Sequence, residues 1–260
     1  MTSTPASPAP SAPRLLILAD SLAFHGPTGP MPADDPRLWP NIAAGQLGGI
    51  AHLFAGFGWT ARDAWWALTG DPNIWSLLPK IDALVLGVGS MDTLPSPLPT
   101  YLRTGLRYLR PDRLRRAART AYLAAQPVLS RALGGHPVAL PPALSARYLR
   151  ETVNGVRALR PDLPAIAILP ATHRAASYGS VHTGHGPARA AIRDWGERDK
   201  IPLLDLTELT RDHVFAGLGN PDGMHWGWAA HQAVGDALAA TLTTLGVSAG
   251  RPCRSVGPET

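Results

Sequence analysis

Arg14-Leu-Leu-Ile-Leu-Ala-Asp20-Ser21-Leu22 is the stretch that decides the fold. Its apolar run is short, rich in branched residues and ends abruptly at an Asp-Ser pair, as expected of a strand buried on both faces that runs into a turn. Similar runs recur at 15–19, 51–55, 83–87, 165–169 and 202–206. Helical periodicity fills the intervals at 38–47, 61–68, 98–109, 113–133, 143–159, 187–198, 206–216 and 228–245. Buried strands alternating with helices predict an α/β fold, a three-layer sandwich with a five-stranded parallel sheet. In such sheets ligands bind beyond the carboxyl ends of the strands, where Ser21 falls.

A second segment complements the first. Asn220-Pro-Asp222-Gly-Met-His225-Trp226 places an acid and an imidazole three residues apart in a turn-rich loop. Serine is a weak nucleophile until a base takes its proton, and that base must be oriented by a third group. Ser21, His225 and Asp222 supply those chemical types. No G-x-S-x-G run occurs, which argues against an α/β-hydrolase nucleophile elbow. Either segment alone reads equally well as a strand end and an unrelated surface pair; together, and in this order, they favour a serine enzyme.

The 260-residue chain carries 45% hydrophobic and 17% charged residues, ordinary for a globular protein. Its formal charge of +5 rests almost wholly on arginine, since Lys80 and Lys200 are its two lysines. That charge fits an anionic partner such as a phosphorylated cofactor, an acidic sugar or nucleic acid, and a GC-rich genome produces the arginine bias equally well. With Cys253 as its single cysteine the chain has no disulfide framework and no cysteine zinc site. The spacing of His173, His182 and His185 lacks a helical pair with an accompanying carboxylate, so a loop near the acceptor site, or equally a surface loop with no role, is expected rather than a metal site. His231 reads as a packed or surface residue. No apolar run spans a bilayer, the start lacks a secretory pattern, and no nucleic-acid motif is present, so a cytoplasmic protein acting on small molecules is expected. Residues 1–13 and 246–260 read as disordered tails around a single catalytic domain, 14–245. Within it, 91–160 reads as a helical insertion, an arginine-rich lid or acyl-binding wall.

Ser21 early and Asp222-x-x-His225 late resemble the SGNH (GDSL-type) hydrolases, whose flavodoxin-like sandwich is the fold expected above. Further segments are similar to one branch, the diglucosylglycerate octanoyltransferases of mycobacteria: Ala19-Asp-Ser-Leu22, Pro32-Ala-Asp-Asp-Pro36, Trp39-Pro-Asn41, Gly58-Trp-Thr60, Leu94-Pro-Ser-Pro-Leu-Pro99 and Gly219-Asn-Pro-Asp-Gly-Met-His-Trp226. The resemblance covers roughly residues 14–245. It implies transfer of an octanoyl group from octanoyl-CoA, as substrate and with no bound cofactor, to a glucose hydroxyl of diglucosylglycerate. In that family the step leads toward methylglucose lipopolysaccharide. An ester or thioester hydrolase with the same triad is the alternative.

The resemblance also implies an oxyanion hole made by the backbone N–H groups of Ser21 and Gly58 and an Asn side chain. Here Gly89-Ser90-Met91-Asp92 carries methionine at that last position, and a thioether donates no hydrogen bond. Two backbone donors, or Ser90 as substitute, are the readings left open. Further candidate substrate contacts are Asp20, Arg62 (toward the glycerate carboxylate), Asp63 and Asp92 (toward sugar hydroxyls), and Met91. Trp65, Trp66 and Trp226 are candidates for an apolar platform. Each has a structural alternative as a helix cap, loop brace or core side chain.

Overall fold

The computed structural model describes residues 12–98, 102 and 105–248. Its five-stranded sheet is made of β1 (Arg14–Asp20), β4 (Ile50–Gly56), β5 (Ala83–Gly87), β6 (Ala165–Leu169) and β7 (Leu203–Asp205), in the order β4-β1-β5-β6-β7 with every pair parallel. A two-stranded ribbon, β2 (His25–Gly26) with β3 (Gly29–Pro30), follows the first strand. The helices are α1 (Trp39–Gln46), α2 (Ala61–Gly70), α3 (Pro72–Leu77), α4 (Asp112–Ala132), α5 (Pro142–Arg157), α6 (His185–Asp199), α7 (Leu206–Phe215) and α8 (Trp228–Thr244).

The alternation of side chains along β1 builds two cores. Leu15, Ile17 and Ala19 face Ala43 and Ala44 of α1, Val214 of α7 and Val234, Leu238 and Leu242 of α8. Leu16 and Leu18 face Ala64 and Leu68 of α2, Leu149, Val153 and Val156 of α5, and Ile192 and Trp195 of α6. Leu15, Leu16, Ile17 and Leu18 are all fully buried, each contributing roughly 1.5–3 kcal/mol of transfer free energy. A strand walled on both sides leaves the next residue no direction but outward along the carboxyl edge. That residue is Ser21.

The expected five strands are all present, and the helices differ at their ends by one or two residues except in three places. The short α3 was not foreseen; Asp71 caps it, its carboxylate accepting from the Asn73 N–H at 2.8 Å. The expected helix at 98–109 lies partly outside the described residues; residues 102 and 105 within it are helical, and a 3₁₀ turn follows at Leu106–Tyr108. The stretch 91–160 divides. Its second half, α5, is a layer helix packed into the core through Leu149, Val153 and Val156. The insertion proper therefore lies between the bridge partners Pro95 and Val138 and contains α4. Of the expected tails, residues 1–11 and 249–260 lie outside the described residues. Pro13 and Val247 are packed, Pro13 accepting from the Ile50 N–H at 2.8 Å.

Candidate active site

Ser21 opens a 3₁₀ turn at the end of β1, and its Oγ lies 2.9 Å from Nε2 of His225. On the other side of the ring Nδ1 is 2.5 Å from Oδ2 of Asp222. The three-residue spacing works because the loop folds on itself. Oδ1 of Asp222 accepts from the backbone N–H groups of Met224 (2.8 Å) and His225 (3.0 Å), and the Asn220 N–H donates to the carbonyl of His225 at 2.9 Å. Gly223 sits at φ +74°, and an added Cβ would stand 3.0 Å from the Arg174 backbone, so a side chain there meets both strain and contact. Burial opposes ionisation of Asp222, but its bonds from the ring and the backbone of His225 outweigh that and lower its carboxyl to about 2. The acid is therefore charged at any working pH, and it fixes the tautomer that leaves Nε2 free to accept from Ser21.

Gly58 follows β4 at φ +71°, with the methyl end of Met91 3.8 Å from where its Cβ would be. Met91 thus occupies the side of the site next to that glycine. With Leu22, Ser90, Leu94, Ala171, Thr172, His173 and Met224 it lines a mostly apolar pocket reaching from the residue after Ser21 to the residue before His225. The hydroxyl of Ser90 accepts from the Ala171 N–H at 3.0 Å and so braces the loop after β6.

Several other candidates belong to the scaffold. Asp20 is fully buried and caps the turn that holds Ser21, accepting from the Leu22 N–H at 2.9 Å. Asp92, also fully buried, accepts from the Ala61 N–H at 3.0 Å at the start of α2. Asp63 completes a capping box with Thr60, whose N–H and hydroxyl it accepts. Trp226 is 1% exposed inside the core and offers no platform. Trp65 packs against Leu68 and Gly155 between α2 and α5, as a core residue. The Arg62 guanidinium lies 4.7 Å over the half-exposed Trp66 ring. The histidine group makes protein contacts at one ring nitrogen each, while Nε2 of His173, which lines the pocket, is buried without a hydrogen-bond partner. His182 Nε2 is 2.7 Å from the Thr93 hydroxyl, His185 Nε2 is 3.1 Å from the Pro170 carbonyl, and His173 Nδ1 accepts from the Ala175 N–H. His185 begins α6 rather than lying in a free loop. Among the described residues no group of three ligating side chains is placed to hold a metal.

Burial, with each acid's carboxylate neighbour as a smaller cause, lifts both Asp20 and Asp92 to about 7. Their folded values lie above the unfolded value near 3.8, so between pH ~4 and ~7 the folded chain holds protons the unfolded chain has released. Stability is then lost as pH rises through that window. Relative to the Asp20→Asn/Asp92→Asn double variant, the native chain is expected to lose about 3 °C or more of melting temperature between pH 5 and pH 8; the buried histidines, whose pKa values burial lowers, push the other way in both proteins and cancel in the comparison. An equally steep slope in the double variant would assign it to other groups.

A five-stranded parallel sheet with an Asp-Ser turn on its first strand and an Asp-x-x-His loop before its last helix is the architecture of the SGNH (GDSL-type) class. Among solved structures, a GDSL-like lipase of Parabacteroides merdae is similar in fold, with a TM-score of 0.60 at 12% identity over 93% of this chain and 99% of that one. No protein-family model matches the chain. The chain is 48% identical over 238 residues to the diglucosylglycerate octanoyltransferase of Mycobacterium tuberculosis (90% of this chain, 94% of that protein). To the one of Mycolicibacterium hassiacum it is 46% identical over 245 residues (93% and 98%). It belongs to the diglucosylglycerate octanoyltransferase family and is an acyltransferase. No helix among the described residues is long and apolar enough to cross a membrane.

His25 and Phe57 were not among the residues picked out from sequence. The imidazole of His25 stacks on that of His225, with centroids 3.7 Å apart and planes 19° from parallel, and Phe57 stands edge-on to it at 6.1 Å. A histidine four residues past a serine carries no periodic or spacing signal. It becomes visible only once the β2–β3 ribbon folds back over the triad loop, where Asn220 donates to the Pro27 carbonyl at 2.9 Å.

Proposed function

We propose that this enzyme moves an octanoyl group from octanoyl-CoA to a glucose hydroxyl of diglucosylglycerate through an acyl-serine. The observation that carries the reading is the aligned run Ser21 Oγ, His225 Nε2, His225 Nδ1, Asp222 Oδ2 in a chain of this family. Ser21 gives its proton to Nε2 of His225 and its oxygen bonds to the thioester carbonyl carbon. The tetrahedral intermediate collapses, the C–S bond breaks, and the leaving sulfur takes the proton back from Nε2. The glucose hydroxyl then gives its proton to the same nitrogen and attacks the acyl-serine. When the bond between the acyl carbon and Ser21 Oγ breaks, that proton returns to Oγ, leaving the sugar ester and the enzyme as it began.

Asp222 stays ionised throughout and stabilises the imidazolium formed in each half-reaction. The oxyanion is held by the N–H groups of Ser21 and Gly58. Met91 adds apolar surface in place of a donor, beside Leu22, Leu94 and Met224 in a small, mostly apolar pocket next to the serine. The insertion around α4 acts as a lid over the acyl-enzyme, and the arginines of α4, Arg115 and Arg116 among them, suit the phosphates of CoA. In this reading the enzyme acts in the cytoplasm, where its donor is found, on the way to methylglucose lipopolysaccharide.

Incubation with octanoyl-CoA and diglucosylglycerate, followed by mass spectrometry, tests this directly. The expected product is a mono-octanoylated sugar with one equivalent of free thiol. Free octanoate without the sugar ester would replace the transferase reading with a hydrolase.

A further inference from the structure

Hydrogen bonds at its two nitrogens leave the His225 ring one freedom. Nδ1 is held by Asp222 and Nε2 meets Ser21, on opposite sides of the ring. The ring can still swing about its Cβ–Cγ bond, and that rotation carries Nε2 out of line with the serine hydroxyl. A surface packed against the face of the ring opposes that motion.

His25 provides such a surface, lying nearly parallel to His225 at 3.7 Å. It is held on several sides. Its Nδ1 is 2.9 Å from the Gly26 carbonyl, to which it donates, and Phe57 packs edge-on against it. Its own carbonyl accepts from Nε2–H of His231 at 3.2 Å. His231 is fully buried at the start of α8, and its other nitrogen accepts from the Trp39 N–H, at the start of α1, at 3.3 Å. Accepting at one nitrogen and donating at the other requires a neutral ring, and burial lowers His231 to about 4 accordingly. The β2–β3 ribbon is thereby tied through His231 to the two helices beneath the sheet. Burial, and then the neighbouring His225, also lower the pKa of His25, so the support stays uncharged when His225 takes up its proton.

We propose that His25 is a positioning residue that holds the plane of His225 toward Ser21 by ring stacking, and that its aromatic face rather than its hydrogen bonding is the part that acts. The inference rests on the triad reading above. Two variants separate the properties of the side chain. His25→Phe keeps a flat ring and removes the bond to Gly26, whereas His25→Asn keeps a donor and removes the ring. His25→Ala removes both.

The readout is the rate at which a fluorophosphonate probe labels Ser21, alongside kcat and KM for thiol release from octanoyl-CoA and the melting temperature of each variant. Labelling needs the nucleophile and its base but no sugar acceptor. In His25→Ala and His25→Asn, labelling and kcat are expected to fall about 10- to 100-fold with little change in KM, as for a displaced catalytic group. His25→Phe should stay within about threefold of the native enzyme, with a melting temperature no higher than that of the Asn variant required for this rescue. Retention by Asn with loss by Phe would assign the effect to the Gly26 bond and overturn the proposal, as would equal loss in all three or no loss in any. A native enzyme that does not label at Ser21 would overturn the triad reading itself, a result distinct from any of these.

Discussion

Replacing Ser21 by alanine is expected to lower acyl transfer by about 10⁴- to 10⁶-fold, the range seen when the nucleophile of a triad is removed. It should also abolish fluorophosphonate labelling while leaving the fold intact. The turn at the end of β1 does not depend on the hydroxyl, since the Asp20 carboxylate caps it through the Leu22 N–H and the Phe24 N–H donates to the backbone carbonyl of residue 21. The melting temperature should therefore stay within about 2 °C of native. Octanoyl-CoA given without the sugar should leave a covalent octanoyl adduct on Ser21 in the native enzyme and none in the variant. An alanine variant that kept a tenth of native turnover would rule out an acyl-serine and require direct attack of the sugar on the thioester.

Much of this was legible in the sequence because two signals were strong. The run Leu15 to Ala19 has no polar residue, and a strand apolar on both faces has few places to go but the middle of a parallel sheet. The Asp-x-x-His spacing is enforced by local hydrogen bonds within the six residues from Asn220 to His225, so it survives without knowledge of the rest of the fold. What was not legible depends on long-range placement. Asp92 and Asp63 are polar residues close to a predicted site, and nothing local distinguishes a sugar ligand from a helix cap. The difference for Asp92 is made by Ala61, 31 residues away, whose N–H it accepts. Trp226 flanks the triad histidine in sequence, but a loop that turns outward with His225 carries its neighbour inward, to 1% exposure. The helical character of 142–157 was plain, whereas its membership of the sandwich rather than the lid is fixed by which face Leu149 and Val153 meet. His25 is the clearest case, since its partner lies 200 positions further along the chain.

The second large effect concerns Asp222. Changing it to asparagine removes one charge and keeps the shape of the side chain. An amide oxygen can still accept from the N–H groups of Met224 and His225, as Oδ1 does at 2.8 and 3.0 Å, so the loop should persist. The other arm then presents an NH₂ to Nδ1 of His225 in place of an acceptor. Two donors cannot share that contact, and the ring answers by moving its proton to Nε2. That nitrogen then faces Ser21 as a donor and cannot take the serine proton. The wrong tautomer, rather than a lost charge, is the dominant cost, and kcat is expected to fall roughly 10⁴-fold. Asp222→Ala leaves Nδ1 without a competing donor, so the productive tautomer stays accessible; it should lose less turnover than the asparagine variant but more stability, since two backbone N–H groups lose their acceptor. That inverted order, with the conservative change the more damaging to turnover, distinguishes tautomer control from simple electrostatic support. Because the Asp222 carboxyl is held near 2, no loss of activity between pH 4 and 7 belongs to it. If the asparagine variant kept more than a tenth of native kcat, Asp222 would not be setting the state of His225.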